Sequence, residues 1–237
     1  MVDIFKRLTG KIQFRFKDRV SAAKILAESL KEVVGKDDGD IVVLGIPRGG
    51  VVIANIIAKK LSARYFDIII PRKMTDPDNK EHAIGAVMED GTTYIDRNLV
   101  QLLAITQEYL EEEKRYQIEE IRRRSSLYRN LPQQYDFQDK TVILVDDGAA
   151  TGATIIVAAR SIRNHVKKPK SLIIALPVTS KETAMLLERE SDRLEVVLKP
   201  STGFRSVGQY YQDFTQVTDD QVIQIIDGKT KSEKYGC

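Results

Sequence analysis

The feature that most constrains this chain is its succession of short apolar runs, separated by segments with helical periodicity. Ile41 to Ile46, Phe66 to Ile70, Thr141 to Val145, Ser171 to Leu176 and Leu194 to Leu198 are each rich in β-branched and aliphatic residues. Runs that are apolar on both faces suit strands covered on both sides, the usual condition of parallel sheets. Helices must then alternate with the strands to make the crossovers, so the pattern predicts an α/β fold with a largely parallel sheet. Helices are expected at Asp18 to Val34, Val51 to Leu61 and Gly152 to about His165. In the first of these, Val20, Ala23, Ile25, Leu26 and Leu30 fall near one face. Thr179 and Glu182 have capping-box spacing for a helix ending near Glu190, and Thr218 and Gln221 repeat that spacing for the last helix.

From Arg72 to about Ile95 the chain turns polar. Within this stretch Ala83 to Met88 and Thr92 to Ile95 flank Glu89-Asp90-Gly91, the pattern of a β-hairpin. A highly charged helix is expected from Thr106 to Leu127, where Glu111–Arg115, Glu119–Arg123 and Glu120–Arg124 sit at i,i+4. Such a charge run reads as a solvated face. Pro132 precedes a linker to the strand at Thr141. Residues 1–228 are expected to form a single domain and 229–237 a flexible polar tail.

A chain of 237 residues can bury a sizeable core without covalent staples. Cys237 is the only cysteine, which excludes an intramolecular disulfide and a cysteine metal cluster. No apolar run reaches the roughly 18 residues of a spanning helix, and Met1 to Arg7 lack a signal-peptide core. A cytoplasmic protein with no membrane partner is expected. The net charge of +3 is mild, and no basic tract with interleaved aromatics points to nucleic acid.

Ligands of open α/β sheets bind outside the carboxyl ends of the strands. Three such ends carry unusual residues. The first runs Asp146-Asp147-Gly148-Ala149-Ala150-Thr151-Gly152-Ala153-Thr154. Small residues let backbone N–H groups converge on an anion, and the following helix adds its partial positive charge. The hydroxyls of Thr151 and Thr154 can bind the same phosphate. Two carboxylates beside it should face sugar hydroxyls or the waters of a bound Mg²⁺. No Lys follows the second Gly, so this is not a Walker A loop, and the G-x-G-x-x-G spacing is missing. The second end, Pro47-Arg48-Gly49-Gly50, sets a cation beside exposed N–H groups. The third is Arg72-Lys73.

The stretch from Val142 to Thr154 resembles the phosphoribosyl pyrophosphate (PRPP) motif of type I phosphoribosyltransferases. In detail the chain is similar to a group of predicted members that share Pro-Arg-Gly-Gly, Arg-Lys and Asp-Asp-Gly signatures. The resemblance extends from Phe16-Lys17-Asp18-Arg19 to the Gly208–Phe214 segment. It implies a Rossmann-like core, with a small hood built from terminal segments including about residues 200–228, and a mobile hairpin loop that closes over the site. It implies that Gly148 to Thr154 hold the 5′-phosphate, that Pro47 to Gly50 hold pyrophosphate, and that Asp146, Asp147, Arg72 and Lys73 are catalytic. It also implies Mg²⁺ carried mainly by the substrate, with Asp146 and Asp147 as further ligands, and a homodimer.

The implied reaction moves the phosphoribosyl group of PRPP to a nitrogenous acceptor such as a nucleobase, releasing pyrophosphate. Phe204, Tyr210 and Tyr211, with Phe214, are candidates to stack on that base. Hypoxanthine–guanine members place an Asp, the usual acid or base, immediately before the loop Thr. Here Ala150 stands in its place, as in adenine-type members, which leaves Glu81 and Glu89 as candidates for proton transfer. The alternative reading is a regulator that binds PRPP on the same fold without chemistry.

Overall fold

The computed structural model describes residues 14–34, 40–80, 82–129 and 135–234. The strands are β1 (Ile41–Gly45), β2 (Tyr65–Ile68), β3 (Arg72–Thr75), β4 (Ala83–Val87), β5 (Thr93–Ile95), β6 (Thr141–Val145), β7 (Ser171–Val178) and β8 (Arg193–Leu198). The helices are α1 (Arg19–Val33), α2 (Gly49–Lys60), α3 (Arg97–Leu102), α4 (Gln107–Tyr128), α5 (Ala153–Asn164), α6 (Lys181–Leu187) and α7 (Asp219–Lys234). α7 runs past residue 228, where the sequence suggests a tail.

All five expected apolar runs are strands of one sheet, ordered β2-β1-β6-β7-β8, and every pairing in it is parallel. β6 lies at the centre and is buried at every position. Its side chains alternate between two cores, as the two-residue strand period requires. Ile143 and Val145 join the cluster with α1 and α2, whereas Val142 and Leu144 join the one built on α5. The chain leaves β1 toward β2 on one side and returns on the other side at β6. That reversal opens a crevice at the carboxyl ends of β1 and β6, the place where such sheets take ligands.

β3, β4 and β5 form a second, antiparallel sheet. The expected hairpin is present, with Met88 N–H donating to Thr92 O at 2.9 Å across its turn. It is more than a loop, however. Arg72–Thr75 pairs along β4, and Met74, Ile84, Ala86 and Val87 are at most 1% exposed. Pairing of distant segments, and not local composition, turns this polar stretch into a packed layer. The exposed connection lies at residues 77–80.

Several local expectations shift. α1 buries Ala22, Ala23, Leu26, Ala27 and Leu30, while Val20 and Ile25 are exposed. α6 is capped by Ser180, whose side chain accepts from Thr183 N–H, because Thr179 Oγ1 is engaged with Ala149 O at 3.0 Å. The cap at Thr218 does form: Gln221 N–H donates to Thr218 Oγ1, and Thr218 N–H to Gln221 Oε1. α4 is not a wholly solvated helix, since Glu113, Gln117, Ile121 and Tyr128 are buried against its neighbours. Its best-formed ion pair joins Arg123 to Glu120 at i,i+3, in place of the expected Glu119–Arg123 and Glu120–Arg124 pairs.

Candidate active site at the sheet switch point

The β6–α5 loop has the build of an anion cradle. Gly152 caps α5 with φ of 76°, a left-handed conformation that a side chain would strain. Ala149 N–H is committed to Val178 O at 3.0 Å, and its side chain is buried. So Ala149 braces the loop and offers no N–H to a ligand, contrary to its place among the expected phosphate contacts. The N–H groups of Gly148, Ala150, Thr151 and Gly152 make no hydrogen bond among the described residues. Those of Ala153 and Thr154 lie in the first turn of α5, where no intrahelical partner exists. Thr183 on α6 supports the loop from behind, donating from Oγ1 to Ala150 O at 2.6 Å.

The acidic pair opens this loop. Asp146 Oδ1 accepts Asp147 N–H at 2.8 Å. Asp147 Oδ2 accepts from Arg19 Nε at 2.8 Å, and Tyr211 OH donates to Asp147 O at 2.7 Å. Arg19 is itself held by Thr215 O at 2.7 Å and lies 4.0 Å over the Phe214 ring. Burial raises the pKa of both carboxyls, and that of Asp146 goes further because the Asp147 charge adds repulsion. Lys73 and Arg19 act on Asp146 in the opposite sense, which places Lys73 near it.

The β1–α2 loop lies alongside, its Pro47–Arg48 peptide cis. A Cβ on Gly49 would meet Asp147 Oδ2 at 1.9 Å, so only glycine lets the two loops touch. Arg48 Nη1 faces Asp219 Oδ1 at 3.8 Å, and Asp219 also accepts from Tyr128 OH. Beside Arg48 is a cleft of about 380 Å³ lined by Gln216, Val217, Thr218, Asp219 and Asp220. Two larger cavities, about 880 and 890 Å³, are lined by neither loop.

The other expected residues separate. Arg72 and Lys73 are neighbours on β3, and the strand period points them to opposite faces. Lys73 is exposed and its charge is felt at Asp146, whereas Arg72 Nε donates to Gln117 Oε1 on α4 at 2.8 Å. Gln117 Nε2 in turn donates to Glu113, which also accepts from Thr75 N–H and Oγ1. Arg72 thus sits in a polar network that the charge-rich helix sequence concealed. Tyr210 and Tyr211 are each 3% exposed, with rings packed on Phe204 and Phe16. A base has no room on either ring, which corrects that expectation, while Phe204 remains half-buried. Glu89 pairs with Arg122 at 3.6 Å, on a turn whose Asp90 accepts from Ser161 near the far end of α5. It is therefore remote from the loop, and Glu81 lies outside the described residues. Arg19, Gln117 and Asp219 went unassigned in the sequence because their partners lie far along the chain.

A parallel sheet thus carries, at its switch point, a loop of free N–H groups, an acidic pair and an arginine loop. The phosphoribosyl transferase domain family matches residues 16–197, and the chain belongs to that family. It is 32% identical over 212 residues to a Mycobacterium tuberculosis protein (strain H37Rv) provisionally named a phosphoribosyl transferase. The match covers 90% of this chain and 46% of that protein, so the chain spans about half the length of this relative. The crystal structure of TT1426 from Thermus thermophilus is similar at a TM-score of 0.72 and 35% identity, over 90% of this chain and 98% of that one. No helix among the described residues is long and apolar enough to cross a membrane.

Proposed function

We propose that this protein binds PRPP and transfers its phosphoribosyl group to a nitrogenous acceptor, most simply a nucleobase, releasing pyrophosphate. The observation that carries the reading is the meeting of the free N–H groups of the Gly148–Thr154 loop with the Asp146–Asp147 pair, against which Gly49 and Gly50 of the arginine loop pack. The loop binds the 5′-phosphate. Asp146, whose Oδ2 has no partner among the described residues, takes the ribose hydroxyls. Asp147, locked to Arg19, fixes the loop's position. Arg48 and Lys73 neutralise the diphosphate as its bond to the anomeric carbon breaks and the bond to the acceptor nitrogen forms. The donor set fits Mg²⁺: one free carboxylate beside an open crevice suits an ion that keeps most of its waters and substrate oxygens. Bound there, Mg²⁺ would neutralise the leaving diphosphate, with Asp146 as its protein contact.

The hood is read in the zippered termini, where Phe16 N–H donates to Tyr210 O and Gln212 N–H to Phe16 O, both at 2.8 Å. One domain over residues 1–228 and assembly as a homodimer complete the proposal. A single observation favours the regulator alternative: Ala150 stands where an Asp would serve as acid or base, and Glu89 is remote from the loop. Titration calorimetry with Mg²⁺ separates the ligand roles. Arg48→Ala should weaken PRPP binding about tenfold or more and ribose 5-phosphate binding by less than about twofold. Equal losses for the two ligands would remove Arg48 from the pyrophosphate site.

A further inference from the structure

Gln117, Ile121, Arg124 and Tyr128 follow one another at i, i+4, i+7 and i+11, a single line along α4. Three of the four are buried and Arg124 is half-buried. At one end of the line Gln117 holds Arg72, and at the other Tyr128 holds Asp219, which faces Arg48. Arg124 therefore stands between two other arginines. The neighbouring carboxylates are already committed. Glu113 is bound to Thr75 and Gln117, Glu120 accepts from Arg123 at 2.9 and 3.0 Å, and Asp219 serves Tyr128 and Arg48. Arg124 makes no hydrogen bond or ion pair among the described residues. The crowding is felt, since burial and then the Arg124 charge push the Arg72 pKa down.

A half-buried guanidinium with its donors unused, beside like charges, is costly unless an anion comes to it. We propose that Arg124 binds diphosphate and completes, with Arg48, the leaving-group end of the PRPP site. The assignment rests on the PRPP reading above and extends the site from the strand-end loops onto α4. An arginine suits the position because its planar fork matches two phosphate oxygens at once.

Calorimetric titration of the full chain with Mg²⁺, using PRPP, inorganic pyrophosphate and ribose 5-phosphate in turn, tests it. Arg124→Gln should weaken PRPP and pyrophosphate binding about tenfold or more, leaving ribose 5-phosphate within about twofold. Arg115→Gln removes the same charge from an exposed position of α4 and should leave all three within about twofold. Unchanged PRPP affinity in Arg124→Gln, or a matching loss for ribose 5-phosphate, overturns the assignment while the PRPP reading stands. A wild-type chain that binds no PRPP overturns both. Should the Gln variant fail to fold, Arg124→Lys replaces the fork with a point charge. A loss of about threefold or more confined to PRPP and pyrophosphate then supports the assignment, and any other pattern overturns it.

Discussion

Asp146→Asn should make the protein more stable and less active at the same time. The Asp146 carboxyl is partly buried beside Asp147, and both effects raise its pKa well above the ordinary 3.8. Once ionised, this carboxylate costs the folded state more than it costs the unfolded chain. Asparagine keeps the oxygen that accepts Asp147 N–H at 2.8 Å, so the loop retains its bond while losing the charge. Replacing a functional-site group of this kind gains about 1–2 kcal/mol. In a chain of this size that is about 2–8 °C in melting temperature.

The sign of the pH dependence follows from linkage. A group whose folded pKa is raised favours folding below its unfolded value and loses that contribution as pH rises through the folded value. The gain from Asp146→Asn is therefore full above the raised pKa and shrinks as acidification carries the wild-type residue down through it toward 3.8. Differential scanning calorimetry of both proteins across this range, beside pyrophosphate release, measures the two halves. Release should fall about 100-fold. A variant less stable than wild type at pH 7.5, or a gain that does not shrink on acidification, would mean that the Asp146 charge does not strain the fold.

Other perturbations follow from the same contacts. Arg19→Met leaves Asp147 without its partner and should cost about 3 kcal/mol in chemical denaturation, most of it recovered by adding Asp147→Asn. Gly49→Ala drives a methyl into Asp147 Oδ2, so PRPP affinity by calorimetry should fall far more than secondary structure by circular dichroism. Tyr211→Phe keeps the buried ring and removes only its bond to Asp147 O, a loss of about 1 kcal/mol in denaturant unfolding.

The parallel sheet was legible because β1, β6 and β7 are buried on both faces, and such strands must be apolar throughout. The loop that opens α5 is legible for a related reason: a glycine-capped helix following an apolar strand leaves a local mark in composition. Contacts between distant segments leave none. Arg19 and Asp147 are separated by 128 positions, and nothing near either residue announces the other. Arg72 and Lys73 looked like a joint clamp until β3 was seen to pair with β4, which sends them to opposite faces. In α4 the buried line from Glu113 to Tyr128 contains polar residues at its upper turns, so periodicity of apolar residues could not reveal it. In sequence Tyr210 and Tyr211 suit base-stacking rings, because an exposed aromatic loop and an aromatic core segment look alike there.

On the proposed reading this crevice breaks the bond between the ribose and diphosphate of PRPP. The most direct measurement is Mg²⁺-dependent pyrophosphate release from PRPP by the purified protein, with a panel of purines, pyrimidines and other amines as acceptors. Release with one acceptor, a ribosylated product of matching mass, and loss of both in Asp146→Asn are the predicted result. Tight PRPP binding with no release across the panel would contradict the transferase and leave the regulator.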